Sequence, residues 1–158
     1  MQEFDIGKIV SNAVKEQSAN CLVAGIALKH VPFEQIVVSD PNLVARILSN
    51  LICNAIKHAN GQRILVGAAR RSGWIKICVI DDGCGIPERD ADRIFDDYVQ
   101  VGQSRVDGGG FGLGLASSKR MASLLQGSLD VDRQWKKGSA FVLSLPISAG
   151  EVPRSLWN

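Results

Sequence analysis

From Phe4 to Ala19 apolar residues recur three and four apart, with Ile6, Ile9, Val10, Ala13 and Val14 on one side. That spacing predicts a first amphipathic helix that packs by this face. The runs "GIALKHV" and "QIVVSD" predict two short strands linked through Pro32. Asp40 and Pro41 then supply an N-cap and a first-turn proline for a second helix that runs to about Asn60–Gly61. "RILVGAARR" and "WIKICVIDD" are rich in branched residues and meet at Ser72–Gly73, the pattern of a two-stranded hairpin. From about Asp96 to Phe111 the chain is polar and glycine-bearing, too long for a simple turn, and it reads as a mobile lid. A third long helix is expected from Gly112 to about Gln126. The segment "SLDVDRQWKKGSAFVLSLPI" predicts a closing hairpin with its turn at Lys137–Gly138. After Pro146 the periodicity is lost, so residues 1–148 are expected to form one domain and 149–158 a tail or linker.

Strands at both ends of the helices, joined by hairpins and without strict βαβ alternation, predict an α/β sandwich: one mixed sheet with helices on one face. The 158 residues, 46% of them hydrophobic, suffice for a single core. A net charge of +2 with scattered basic residues gives no reason to expect nucleic acid as a partner. Four cysteines, Cys21, Cys53, Cys78 and Cys84, form no CxxC pair and three lie in apolar runs, which suits a reducing compartment and a cytoplasmic location. The N-terminus lacks the order of a signal peptide, and no apolar run approaches the roughly 18 residues of a membrane span.

Chemistry enters with "GGGFGLGLASSKRMA", Gly108 to Ala122, where five glycines precede a predicted helix. Such glycines let backbone N–H groups approach a ligand, and the helix start adds partial positive charge, so together they favour a phosphate. A flexible loop that merely ends in a helix start would look similar. On the second helix Asn50, Asn54 and Lys57 fall three and four apart and share a strip beside the apolar stripe. Two asparagines in a helix interior cost helix propensity, which a purely solvent-facing strip would not require. Asp81 ends a strand in a turn built on Gly83 and Gly85, where a carboxylate can accept from an exocyclic amine; a plain capped turn is the alternative.

"NLICNAIKHA", "DDGCGI", "IFDDYVQ" and "GGGFGLGLA" resemble, in order and spacing, the N, G1, F and G2 boxes of the catalytic ATP-binding domain of sensor histidine kinases. The resemblance covers about residues 5 to 147. It implies the Bergerat (GHKL ATPase) fold, a two-layer α/β sandwich shared with DNA gyrase B subunits, MutL proteins and heat-shock chaperone ATPases, which binds ATP under a flexible lid. By this resemblance Asn54 coordinates Mg²⁺ through its amide oxygen with Asn50 supporting it, and Lys57 and His58 touch phosphates or ribose. Asp81 corresponds to the adenine-reading carboxylate, and Gly83, Gly85 and Ile86 shape its pocket. Gly110, Gly112 and Gly114, with Phe111, Leu113 and Leu115, present backbone N–H groups to the phosphates. Phe95 and Tyr98 stand where aromatic residues dock or release the lid, and Arg105 within it is placed to reach the β- and γ-phosphates.

ATP hydrolysis in the gyrase and MutL branch resembles general-base catalysis by a glutamate one turn before the metal asparagine. Here that position is Asn50, which cannot take a proton from water, so slow hydrolysis and transfer to an external nucleophile are expected. His30 and His58 do not fit the H-E/D-x-x-x-P context of a phosphoacceptor. The chain therefore reads as a catalytic domain without its acceptor, monomeric by itself, partnered by a dimerisation and phosphoacceptor domain and, indirectly, a response regulator. A protein-serine kinase of the anti-sigma-factor type and a non-catalytic partner-binding module are the alternative readings.

Overall fold

The computed structural model describes residues 1–58, 62–96 and 114–147. The chain opens with β1 (Gln2–Asp5) and α1 (Ile6–Ala24), followed by β2 (Ala27–His30), β3 (Ile36–Ser39) and α2 (Pro41–His58). Next come β4 (Arg63–Arg71), β5 (Trp74–Asp81), the single turn α3 (Glu88–Ala91), α4 (Gly114–Leu124), β6 (Ser128–Val131) and β7 (Ser139–Pro146). Five strands form a mixed sheet in the order β2-β4-β5-β7-β6, with β2 and β4 parallel and the remaining pairs antiparallel. β5 shows why one face attracts the helices. Ile75, Ile77, Val79 and Asp81 are buried, whereas Trp74, Lys76, Cys78 and Ile80 on the other face are only partly covered. A strand alternates its side chains with period two, so one apolar face suffices for one helical layer.

The helix in the middle of that layer is α2, which packs on α1, α4 and β5. Val44, Ile47, Leu48, Leu51 and Ile52 are fully buried on it, and each such side chain contributes about 2 kcal/mol on leaving water. Its start is set as expected: the Asp40 carboxylate accepts from the N–H groups of Asn42 (2.9 Å) and Leu43 (3.2 Å), with Pro41 in the first turn. Among the described residues no helix is long and apolar enough to cross a membrane.

Several expectations need correction. The chain does not start in a helix: Gln2–Asp5 pairs with β3 in a separate two-stranded sheet, and α1 begins only at Ile6. Asp5 makes the switch, accepting from Gly7 N–H (2.9 Å) as N-cap and from Gln35 N–H (3.0 Å) in the loop before β3. α1 also runs five residues past Ala19, to Ala24, and α3 adds a short turn of helix. The closing hairpin does not turn at Lys137–Gly138 alone. Its connection spans residues 132–138, opened by Asp132, whose carboxylate accepts from Gln134 N–H and whose carbonyl accepts from Trp135 N–H. The central hairpin turns at Ser72–Gly73 as read, both residues having positive φ.

Candidate functional site

The elements converge on one end of the sheet. β2 and β4 begin there, and β5 finishes there, with Asp81 opposite Ile64 on β4 and Ser139 on β7. α2 delivers its last turns to the same end, because only four residues separate His58 from the start of β4 at Arg63. α4 precedes β6, which runs toward this end from Ser128 to Val131, so α4 starts here and runs away from it.

Asp81 is the only carboxylate among the buried polar residues described, at 6% exposure. Burial pushes its carboxyl above the ordinary 3.8, and the adjacent Asp82 charge adds to this. N–H groups of Gly83 and Ser139 pull in the opposite direction, the former donating to Oδ1 at 2.9 Å. Asp82, one residue on, faces outward and does structural work. It accepts from the N–H groups of Gln62 and Arg63, both at 2.9 Å, and from Arg63 Nε at 3.0 Å. Those bonds hold its carboxyl below the ordinary value and tie the exit from α2 to the end of β5.

Gly138 makes a contact that its place in the sequence did not reveal. A Cβ there would stand 1.9 Å from the Asp81 carbonyl oxygen, and its φ of 148° is one that L side chains rarely adopt. Gly85, at φ 79°, would place a Cβ 3.0 Å from the Gly138 carbonyl oxygen. The turn after β5 and the β6–β7 connection thus meet backbone to backbone. That closeness puts the Ser139 N–H on the Asp81 carboxylate.

Asn50 and Asn54 are half-buried on α2 and Lys57 is exposed. Asn50 is engaged with α4, where Nδ2 donates to Ser118 Oγ at 3.1 Å and lies 3.5 Å from the Gly114 carbonyl. Ser118 has 0% exposure, so the bond is a fixed link between the two helices. Nothing in the sequence marks Ser118, one of several polar residues in "LASSKRMA", or Ser139, which follows the turn read at Lys137–Gly138. Asn54 makes no side-chain hydrogen bond to a described residue, which leaves its amide oxygen, a hard neutral donor of the kind Mg²⁺ accepts, available. Leu115 is buried and Ile86 packs against the core. Phe95 also packs there, edge-on to Phe141 with ring centroids 6.2 Å apart and with Lys119 Nζ 4.8 Å from its centroid. Tyr98, Arg105, Gly110, Phe111, Gly112 and Leu113 lie outside the described residues, as does the side chain of His58.

Comparison with known proteins fits this geometry. Residues 39–149 match the family described as histidine kinase-, DNA gyrase B-, and HSP90-like ATPase. The chain belongs to this family. Among its relatives is the adaptive-response sensory kinase SasA of Prochlorococcus marinus (strain MIT 9313), 32% identical over 150 residues, which cover 92% of this chain and 40% of that protein. The chain thus spans about 40% of the length of that relative. Of solved structures, a mycobacterial sensor histidine kinase MprB superposes with TM-score 0.80 at 22% identity, covering 92% of this chain and 97% of that one. Full-length ShkA in complex with AMPPNP superposes with TM-score 0.78 at 24% identity, covering 96% of this chain and 32% of that one. The ATPase fold of the family, a mixed five-stranded sheet under a helical layer, is therefore the one seen here.

Proposed function

We propose that this ATPase-family domain binds Mg-ATP and donates the γ-phosphoryl group to a histidine on a separate dimerisation domain, which then supplies a response regulator in the cytoplasm. One observation carries the choice of transfer over hydrolysis. The residue one turn before Asn54 is an amide whose NH₂ donates to Ser118 on α4. A hydrolytic relative needs a carboxylate base at that place, free to take a proton from water. Asn50 has no such capacity and is held to another helix.

The remaining residues take roles that their placement supports. Buried Asp81, poor in solvent and fixed by two N–H groups, accepts from the adenine N6 amine, while Gly83, Gly85 and Ile86 form the wall beside the base. Lys57, exposed at the end of α2, and the first N–H groups of α4 at Gly114 and Leu115 face the triphosphate. Asn54 would hold Mg²⁺ by its amide oxygen, and the ion would neutralise charge on the phosphates. His58, Tyr98, Arg105, Gly110, Phe111, Gly112 and Leu113 complete the site by the resemblance in sequence. AMPPNP in the ShkA complex, an ATP analogue, agrees with a nucleotide as ligand.

Calorimetric titration with ATP, with and without Mg²⁺, tests the site, and phosphate release tests the reaction. Wild type is expected to bind ATP, Asn54→Ala to lose the magnesium dependence, and the domain alone to release phosphate very slowly. Phosphate passed to a supplied acceptor hairpin should be acid-labile, as on histidine. Steady hydrolysis at the rates of gyrase-type ATPases, or acid-stable phosphoserine on the acceptor, would overturn the assignment.

A further inference from the structure

α1 and α2 run side by side in the same direction, because each feeds one of two parallel neighbouring strands, β2 and β4. Gln17 Nε2 on α1 donates to Ser49 Oγ on α2 at 3.4 Å, which fixes the register of the two helices. One turn further along, four residues on from each partner, stand Cys21 and Cys53. In helices lying alongside each other in parallel, a facing pair is followed one turn later by another facing pair. Axes about 8–10 Å apart bring facing Cα atoms to roughly the 4.4–6.8 Å that a disulfide spans. Both thiols are free; Cys21 is 1% exposed and Cys53 is half-buried.

We infer that Cys21 and Cys53 form a reversible intramolecular disulfide between α1 and α2 when a peroxide is present. Cys53, the more accessible, reacts first. Its thiolate attacks a peroxide oxygen, the O–O bond breaks, and hydroxide leaves and takes up the thiol proton as water, so that Cys53 becomes a sulfenic acid. Cys21 sulfur then attacks Cys53 sulfur, the S–O bond breaks, and a second water leaves with the Cys21 proton. Two thiols have lost two electrons to one hydrogen peroxide, and a thiol reductant reverses the change. The bridge ties α1 to α2 one residue before Asn54. Ser49 bonds to α1 through Gln17 and Asn50 bonds to α4 through Ser118, so a bridge one turn beyond Ser49 braces the α1 side of the nucleotide helix.

Trypsin separates the cysteines usefully. Cys21 falls in the peptide 16–29, Cys53 in 47–57, and Cys78 with Cys84 in 77–89. Wild-type protein treated with one equivalent of hydrogen peroxide, alkylated and digested without reductant, is expected to yield 16–29 joined to 47–57, lighter by two hydrogens than their sum. Dithiothreitol should return the separate peptides, and Cys53→Ser, a half-buried and mild change, should prevent the product. Peptides 16–29 and 47–57 recovered unlinked, with Cys53 carried on to sulfinic acid, or either one joined to 77–89, would overturn the inference. The wild-type map decides without any variant, so a failure of Cys21→Ser to fold would not obscure the answer.

Discussion

Asp81 and Asp82 are chemically identical and one peptide apart, yet their surroundings move their acidities in opposite directions. Burial raises Asp81, and hydrogen bonds from Arg63 lower Asp82. A carboxylate whose folded pKa is raised stabilises the fold only in its neutral form, fully below the unfolded pKa of 3.8, and that stability is lost as pH rises through the folded value. At neutral pH the charge on Asp81 therefore works against folding. Its retention makes sense if a ligand uses it. Asp81→Asn keeps an oxygen for the Gly83 N–H while removing the charge, so the melting temperature should hold or rise. ATP affinity should fall roughly tenfold to a hundredfold, the worth of one hydrogen bond to a charged group. Parallel thermal melts and calorimetry check this; a drop in melting temperature with affinity intact would make Asp81 a structural residue.

Among the elements, the two hairpins show what the sequence exposes and what it conceals. Ser72–Gly73 was legible because a two-residue turn leaves a local mark between two runs of branched residues. The β6–β7 connection was not, because what fixes it is remote. Gly138 reads as a turn glycine, but it is needed where its backbone lies against the Asp81 carbonyl, more than fifty residues away in sequence. β1 stayed hidden for a related reason: Phe4 and Asp5 lie immediately before the helical stripe that begins at Ile6, and only pairing with β3 and the doubly bonded Asp5 carboxylate set the boundary. α2, by contrast, carried its cap, its stripe and its polar strip within twenty residues. Its link to Ser118 depended on a helix more than sixty residues on and could not be seen. Gly138→Ala tests the remote contact. A Cβ driven into backbone at a φ unsuited to it should cost roughly 3 kcal/mol, or a fall in melting temperature on the order of 10 °C. A fall of less than about 2 °C would mean that the β6–β7 connection yields without strain.

On the scale of the whole molecule, acid stability should be governed in its first stage by a residue outside the nucleotide site. His30 ends β2 on the helix-facing side, opposite Val66, and its Nε2 is buried with no hydrogen-bond partner among the described residues. Burial lowers its pKa below the ordinary 6.5. The unfolded chain binds this proton at 6.5 and the folded one resists it, so the stability contribution is present above 6.5 and is lost as pH falls through the folded value. Asp82 works in the same sense as His30 but below its ordinary 3.8, whereas Asp81, raised above 3.8 by burial, works in the opposite sense, its contribution falling as pH rises through the folded value. Between neutrality and about pH 5, then, unfolding free energy should decline toward acid with a slope of at most about 1.4 kcal/mol per pH unit, the limit for one proton. Urea titrations at intervals of half a pH unit measure that slope, and His30→Gln, which cannot ionise, should flatten it. An undiminished slope in the variant would assign the acid sensitivity to another group and leave His30 as a neutral packing residue at the edge of the sheet.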